Sequence, residues 1–287
     1  MKHIITLSGD IGSGKSSVAA ELQKLTAYDI IGTGRIQRAI AERRGLTTLE
    51  LNKVSETDRS VDDEIDNYVI EIGKTRDNLI IDSRLAWHFI PVAFKVYLSV
   101  DAMIGAERVF NAGRSDENNP SLEATLQNNL KRQSSEDQRF YKLYDVHFRR
   151  YDNYDLIVDT SYTAPETVAR KIKECFEQRN QGGEFPELWL DPRRLLPTQD
   201  MTHEAGGNKE SAFDFAEPIS VFVHDGLIYI ADGHKKALAA HRAGMDLIPA
   251  RILTANESSQ SRSFGELADA VSKSMRQAWD AAMGVEV

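Results

Sequence analysis

Cysteine is nearly missing from this chain of 287 residues, which contains Cys175 alone. One cysteine cannot form an internal disulfide or a cysteine-rich zinc site, and its scarcity fits a reducing compartment. Long apolar runs are missing too, since no stretch approaches the roughly 18 consecutive apolar residues that a membrane helix needs. The N-terminus leads directly into a predicted strand, without the pattern of a signal peptide. We therefore expect a cytoplasmic protein without a membrane partner.

Basic residues are also in short supply. The chain has 35 lysines and arginines against 44 aspartates and glutamates, which gives a formal net charge of −9. This balance opposes non-specific attraction to a phosphate backbone, so we do not expect a nucleic-acid partner. We expect a small-molecule substrate, either a nucleotide or a phosphorylated metabolite.

The first positive signal is a glycine-rich run, GDIGSGKS, at residues 9–16. It follows a short β-branched stretch at 3–7 and precedes apolar residues at helical spacing, which is the context of a phosphate loop. The glycines let successive N–H groups face one anion, while Lys15 would reach the β- and γ-phosphates and Ser16 would bind Mg²⁺. The run therefore predicts binding of ATP with Mg²⁺. The predicted phosphate-binding residues are Gly9, Gly12, Ser13, Gly14, Lys15, Ser16 and Ser17.

The first half alternates predicted strands with helices, which favours an α/β fold with a parallel sheet covered by helices. The predicted strands are 3–7, 79–82, 94–100 and 155–158, and a helix is predicted at 165–179. A polar stretch at 116–120 is predicted to be a mobile loop. Glycine and polar residues then predict a linker at 180–187. The predicted domains are therefore 1–179 and 188–287.

The second half predicts a smaller α+β domain. Residues 219–223 and 227–231 alternate around His-Asp-Gly, which is typical of a β-hairpin. A helix is predicted at 235–243, a strand at 248–253 and helical structure over about 264–283.

A kinase that acts on an already phosphorylated acceptor needs several arginines, because two anions must be held together against their repulsion. Arg84 follows a predicted strand end, where ligands bind in open α/β sheets. Asp82, two residues earlier, could hold the Mg²⁺ water shell.

Five segments, taken in order, resemble the cytidylate kinase family in its compact archaeal-type form over residues 1–178. They are GDIGSGKSS at 9–17, IGTGRIQR at 31–38, DSRLA at 82–86, RQSSEDQRFYKLY at 132–144 and YDLIVDT at 154–160. The resemblance implies an ATP-dependent nucleoside monophosphate kinase whose leading acceptor is CMP or dCMP. It implies acceptor contacts from Thr33, Arg38, Arg84, Arg132, Glu136 and Arg139, catalytic roles for Lys15, Arg84, Arg132 and Arg139, and donor-phosphate contacts from Arg108 and Arg114 beside a lid.

The segment ADGHKKA at 231–237 resembles the ParB/sulfiredoxin-like superfamily over about 188–254. The resemblance implies a nucleotide site at Asp232, Gly233, His234, Lys235 and Lys236. Sulfiredoxin activity is disfavoured because this loop has no cysteine. Two alternatives stay open for this domain: a regulatory nucleotide site, or a kinase of serine or another small metabolite in which Asp232 is the base and Asp200 or Glu204 an upstream acid. His234 could instead be an ordinary helix-start histidine. For the whole chain, a third hypothesis is a nucleotide-sensing binding protein.

Overall fold

The computed structural model of the protein describes residues 2–46, 50–51, 54, 59–112, 120–201, 213–254 and 263–285. The chain divides into two units. The first consists of Met1–Ile157 and Ala164–Glu184, and the second of Val158–Thr163 and Phe185–Val287.

The first unit is built on a parallel sheet. Its strands are β1 (Ile4–Gly9), β2 (Asp29–Gly32), β3 (Leu79–Asp82), β4 (Phe94–Ser99) and the first two residues of β5 (Leu156–Asp159), in the order β2-β3-β1-β4-β5. β1 is buried along its whole length and pairs in parallel with β3 on one side and β4 on the other. The carboxyl ends of these strands therefore share one edge, where β1 runs into the glycine-rich loop and β3 ends at Asp82.

Helices cover this sheet, and two of them carry six of the predicted site residues. The helices are α1 (Lys15–Thr26), α2 (Thr33–Arg44), α3 (Ser60–Thr75), α4 (Ala86–Phe89), α5 (Ala102–Asn111), α6 (Leu122–Tyr144) and α7 (Pro165–Asn180). α1 packs against α7 through Val18, Ala19 and Leu22, which form its buried face. α6 begins at Ser121, whose hydroxyl accepts a hydrogen bond from the Ala124 N–H group at 3.1 Å. None of the helices described is both long enough and apolar enough to cross a membrane.

The predicted α/β fold of the first half is confirmed, and one of its strands was missed. The prediction named four strands, whereas β2 also lies in the sheet, beside β3. β2 contains only two apolar residues, Ile30 and Ile31, so its four residues show no alternation that could separate it from a loop.

The second unit contains a mixed sheet and shorter helices. Its strands are β6 (Leu188–Leu190), β7 (Leu195–Leu196), β8 (Ile219–His224), β9 (Leu227–Asp232) and β10 (Ile248–Ile252), in the order β6-β10-β8-β9-β7. β8 and β9 form the expected antiparallel hairpin. Asp225 and Gly226 make its turn with φ values of 50° and 77°, which suits the two-residue turn of a hairpin.

The C-terminal segment differs from the prediction. Helical structure was expected over about 264–283, but the structure has α9 (Phe264–Asp269) and α10 (Lys273–Ala282), preceded by α8 (His234–Arg242). The Ser272 hydroxyl accepts a hydrogen bond from the Met275 N–H group at 3.1 Å, so a new helix starts there. α9 brings Phe264 onto Phe222 of β8, with ring centroids 4.5 Å apart.

Candidate functional site

The glycine-rich loop has the backbone that its sequence predicts. Gly12 and Gly14 have φ values of 82° and 75°, and a Cβ atom at Gly12 would lie 2.6 Å from the Cα atom of Gly105. A side chain at Gly12 would therefore push the loop off α5. Among the residues described, the buried Ser13 hydroxyl makes no hydrogen bond. A buried hydroxyl without a hydrogen-bond partner, in a loop that leads into a helix N-terminus, fits a site that binds phosphate oxygens.

Lys15 folds over this loop from the first turn of α1. Its ammonium group donates to the Asp10 carbonyl oxygen at 3.0 Å and to the Gly9 carbonyl oxygen at 3.2 Å. Burial of the ammonium group, followed by the nearby positive charge of Arg84, lowers the pKa of Lys15 to about 8. Two neighbouring cations held in a partly dry cleft create a strong preference for an anion between them.

The lowered pKa of Lys15 leads to an expected proton uptake on ATP binding. Above pH 8 much of the free protein has a neutral Lys15, whereas triphosphate oxygens favour its charged form, so binding should add protons near pH 8.5. ATP affinity should then fall with rising pH, by at most about tenfold per pH unit. Calorimetry in two buffers of different ionisation enthalpy measures the uptake. Lys15→Met should abolish it, and a wild-type protein without uptake at pH 8.5 would contradict the expectation.

Ser16 and Asp82 bring two oxygen ligands together at the edge of the sheet. The Ser16 hydroxyl donates to Oδ2 of Asp82 at 3.0 Å, which joins the start of α1 to the end of β3. Hard oxygen donors of this kind suit Mg²⁺, which is normally held by one or two side chains, substrate phosphates and water. A cluster of three or more His, Cys, Asp or Glu ligands is absent from the residues described. The predicted pair Ser16 and Asp82 therefore fits a nucleotide-bound Mg²⁺ rather than a metal held by protein alone.

Arg84 and Arg132 share one carboxylate. The guanidinium of Arg84 forms an ion pair with Oε1 of Glu136, and Nε of Arg132 donates to the same oxygen at 3.0 Å. The other oxygen of Glu136 is buried and makes no hydrogen bond among the residues described. Burial, then Arg132, then Arg149 lower the pKa of Arg84 to about 10. Two cations balanced by one anion leave a net positive charge, which is what a phosphorylated acceptor requires.

Arg139 lies apart from that cluster. Its guanidinium bonds Oδ2 of Asp62 on α3 at 2.5 Å, which links α3 to α6. The Tyr144 hydroxyl also donates to Oδ2 of Asp66 at 2.7 Å, and burial raises the pKa of Asp66 to about 6. The predicted acceptor residue Arg139 thus bonds α3, whereas Arg84, Arg132 and Glu136 contact one another.

The remaining predicted residues of the first unit lie on α1, α2 and α5 or outside the described part of the chain. Arg108 donates from α5 to the Gly12 carbonyl oxygen at 3.3 Å, which places it against the loop. Thr33 opens α2, on which Arg38 is exposed, and Ser17 is exposed in the first turn of α1. Arg114 and the predicted loop at 116–120, except Pro120, lie outside the described residues.

Three residues that sequence reasoning missed lie in the loop or beside it: Asp10 in the loop, and Tyr97 and Arg149 beside it. The Asp10 carboxylate accepts hydrogen bonds from the Tyr97 hydroxyl at 2.6 Å, the Val100 N–H group at 3.1 Å and Nη1 of Arg149 at 2.5 Å. The sequence did contain a signal for Asp10, because a carboxylate inside a phosphate loop adds negative charge beside a predicted anion-binding site. Nothing in the pattern around Arg149 indicated its partner.

The second unit holds a cavity of about 370 Å³ at the junction of β9 and α8. All five predicted residues, 232–236, line it. Asp232 is exposed at the end of β9, and the ammonium of Lys236 donates to the Glu217 carbonyl oxygen at 2.9 Å. Of the two predicted upstream acids, Asp200 is described and Glu204 is not.

His234 has a structural contact in this unit. Its ring is buried, and Nε2 accepts a hydrogen bond from the Thr198 N–H group at 3.0 Å. Burial lowers the pKa of His234 to about 4, so the ring is neutral near pH 7. This arrangement favours the alternative in which His234 is a helix-start histidine, which here holds the segment that follows β7.

The first unit matches known proteins across most of its length. Residues 5–129 match a family model described as an AAA domain. The cytidylate kinase of Haloarcula marismortui is 35% identical over 183 residues, which cover 63% of this chain and 93% of that protein. The chain belongs to the cytidylate kinase family.

Two further proteins are similar to this chain, one over a minor share of its own length and one over nearly all of it. An S-adenosylmethionine-dependent nucleotide dehydratase of Lacinutrix mariniflava is 35% identical over 189 residues, which cover 66% of this chain but only 39% of that protein. The solved shikimate kinase of Bacteroides thetaiotaomicron aligns with a TM-score of 0.46 at 14% identity, over 62% of this chain and 99% of that one. Membership of the cytidylate kinase family agrees with the loop, Lys15 and the arginine pair described above. The family carries a phosphate-loop kinase domain, so the first unit is a kinase domain of the phosphate-loop class.

Proposed function

We propose that the first unit transfers the γ-phosphate of ATP to a nucleoside monophosphate, with CMP or dCMP as the leading acceptor. The observation that carries the proposal is the shared carboxylate of Glu136. It holds Arg84 and Arg132 together, while Arg84 lies close enough to Lys15 to lower its pKa. Cations that serve a donor and cations that serve an acceptor therefore lie in one cleft. The cytidylate kinases and the nucleotide dehydratase are named for nucleotides, which supports a nucleotide acceptor.

In the proposed reaction, a phosphate oxygen of the acceptor attacks the γ-phosphorus, and the bond from that phosphorus to the β–γ bridging oxygen breaks. The products are ADP and a nucleoside diphosphate. The loop N–H groups and Lys15 hold the β- and γ-phosphates, and Arg84 with Arg132 offsets the charge of the acceptor phosphate. Mg²⁺, held by Ser16 and Asp82 when bound, supplies charge neutralisation at the β- and γ-oxygens. An ionised phosphate is already nucleophilic, so this scheme requires no general base.

A phosphotransfer screen tests the proposal. ATP and Mg²⁺ are offered with CMP, dCMP, UMP, AMP, GMP, serine or no acceptor, to the wild type, Lys15→Ala and Asp232→Ala. We expect turnover of CMP or dCMP that Lys15→Ala abolishes and Asp232→Ala preserves. If no nucleoside monophosphate accepts phosphate, the proposed acceptor class is wrong.

For the second unit we propose a ParB/sulfiredoxin-like domain that binds a nucleotide at the cavity beside Asp232. The observation in favour is a cavity of about 370 Å³ lined by two carboxylates, those of Asp232 and Glu217, by two lysines and by the start of α8. The alternative is phosphorylation of serine or another small metabolite at the same place. In the screen, serine phosphorylation lost in Asp232→Ala but retained in Lys15→Ala would favour that alternative. ATP binding without turnover would favour the regulatory site.

A further inference from the structure

Arg149 joins two parts of the cleft that the proposed reaction uses separately. It lies in the segment that follows α6, with 18% of its side chain exposed. Its Nη1 atom donates to Oδ1 of Asp10 at 2.5 Å and to the Tyr97 hydroxyl at 3.0 Å. Its Nε atom donates to Oδ2 of Asp137 on α6 at 3.0 Å. One planar guanidinium therefore bonds the phosphate loop with one edge and α6 with another.

In the phosphate loop, Arg149 bonds Asp10, which belongs to the proposed donor-phosphate site. The main-chain carbonyl of Asp10 accepts the hydrogen bond from Lys15 at 3.0 Å and one from the Ser13 N–H group at 3.3 Å. Its side chain is held on the other side by Tyr97 and by the Val100 N–H group. A shift of Asp10 would therefore move the loop atoms around which phosphates bind.

On α6, Arg149 bonds Asp137, which lies beside the proposed acceptor site. Asp137 follows Glu136 directly on α6, and Glu136 bonds both Arg84 and Arg132. A rigid helix moves as one body, so a displacement of Asp137 carries Glu136 and Arg132 with it. Arg150, the next residue in sequence, makes no comparable link, since it pairs at 2.7 Å with Asp152 and is 64% exposed.

We infer that Arg149 is a positioning residue that couples the phosphate loop to α6, so that ATP bound at the loop orders the helix that carries Arg132 and Glu136. The fork of a guanidinium can hold both carboxylates in one geometry, which a lysine cannot do. Coupling of this kind is reciprocal, so an acceptor bound at α6 would raise ATP affinity by the same factor. The inference rests on the proposed binding of ATP at the loop and is independent of the acceptor's identity.

Hydrogen exchange of the α6 amides, with and without ATP and Mg²⁺, tests this coupling in the full chain. In the wild type we expect ATP to slow α6 exchange by about fivefold or more. Asp137→Asn should lose that slowing while its ATP dissociation constant stays within about threefold of wild type, because the Asp10–Arg149–Tyr97 bonds remain. Arg149→Lys should lose the slowing as well, and Arg150→Met should behave as wild type.

A second readout separates positioning from a general loss of structure. For Asp137→Asn we expect a lower kcat, and we expect that saturating acceptor no longer lowers the KM for ATP as it does in the wild type. If ATP slows the exchange of the α6 amides equally in the wild type, Asp137→Asn and Arg149→Lys, the coupling is overturned and Arg149 merely supports the loop. Calorimetry of the wild type is read first: a protein that binds no ATP refutes the proposed function, and the coupling with it, whereas binding without α6 protection refutes the coupling alone.

Discussion

Lys15→Met is expected to reduce kcat/KM for phosphotransfer by about 1,000-fold, which is the largest effect of any single substitution that we consider. The ammonium bonds two carbonyl oxygens of the loop, where the β- and γ-phosphates are proposed to bind. Methionine keeps the length and apolar stem of lysine without its charge. Steady-state kinetics at saturating acceptor measure the loss.

The same substitution should not destabilise the fold. The pKa of Lys15 is lowered from 10.5 to about 8, so holding this group charged below pH 8 costs folding free energy that methionine does not cost. We therefore expect an unchanged or raised Tm at pH 7, together with the loss of activity. Lys24→Met is the matched control, because Lys24 lies on the same helix, is 68% exposed and forms its ion pair with Glu21, three residues away. A Lys15→Met protein that keeps more than about a tenth of wild-type activity would contradict the assigned role.

The phosphate loop could be predicted because the residues that determine its structure are adjacent in sequence. Eight consecutive residues specify the turns, the anion-binding N–H groups and the start of α1, and the apolar run before them specifies a buried strand. The hairpin at Asp225 and Gly226 was predictable for the same reason, since its turn residues and the alternation around them are adjacent in sequence.

The partners of the charged residues could not be predicted in this way. Arg139 bonds Asp62 across 77 residues, and Arg149 bonds Asp10 across 139. Nothing about these pairs is periodic, and each depends on how helices pack on the sheet after the strands are ordered. The sequence therefore predicted a set of arginines for the site, but it did not indicate that Arg84 and Arg132 share Glu136 or that Arg139 bonds α3.

The contacts of His234 show the same limit of local patterns within the second unit. The motif Asp-Gly-His placed a histidine at the start of a helix, which fits either a ligand contact or a structural one. The choice depends on Thr198, 36 residues away, whose N–H group occupies the ring nitrogen. Only tertiary packing brings that group to the histidine.

Arg84→Met is expected to lower kcat by about 100- to 1,000-fold, the second-largest effect. Arg84 follows β3 two residues after Asp82, pairs with Glu136, and lies close to Lys15, so it faces both the donor and the acceptor. Its removal takes away the cation between two phosphate groups that repel each other. Arg84→Lys keeps a charge but loses the planar fork, so we expect an intermediate loss of about tenfold or more. Single-turnover kinetics with saturating ATP and acceptor separate this loss from weaker binding.

A double substitution separates catalysis from stability at this position. Arg84→Met leaves Glu136 with Arg132 as its ion-pair partner and one buried oxygen without a hydrogen bond among the residues described, so Tm should fall. Adding Glu136→Gln removes the buried carboxylate that has lost one of its two cationic partners, and it should recover Tm without recovering kcat. Arg76→Met is the surface control, because Arg76 pairs with Asp29 at the amino ends of β2 and β3, and it should leave kcat unchanged. If the double variant regains activity together with Tm, Arg84 supports the fold and takes no part in phosphotransfer.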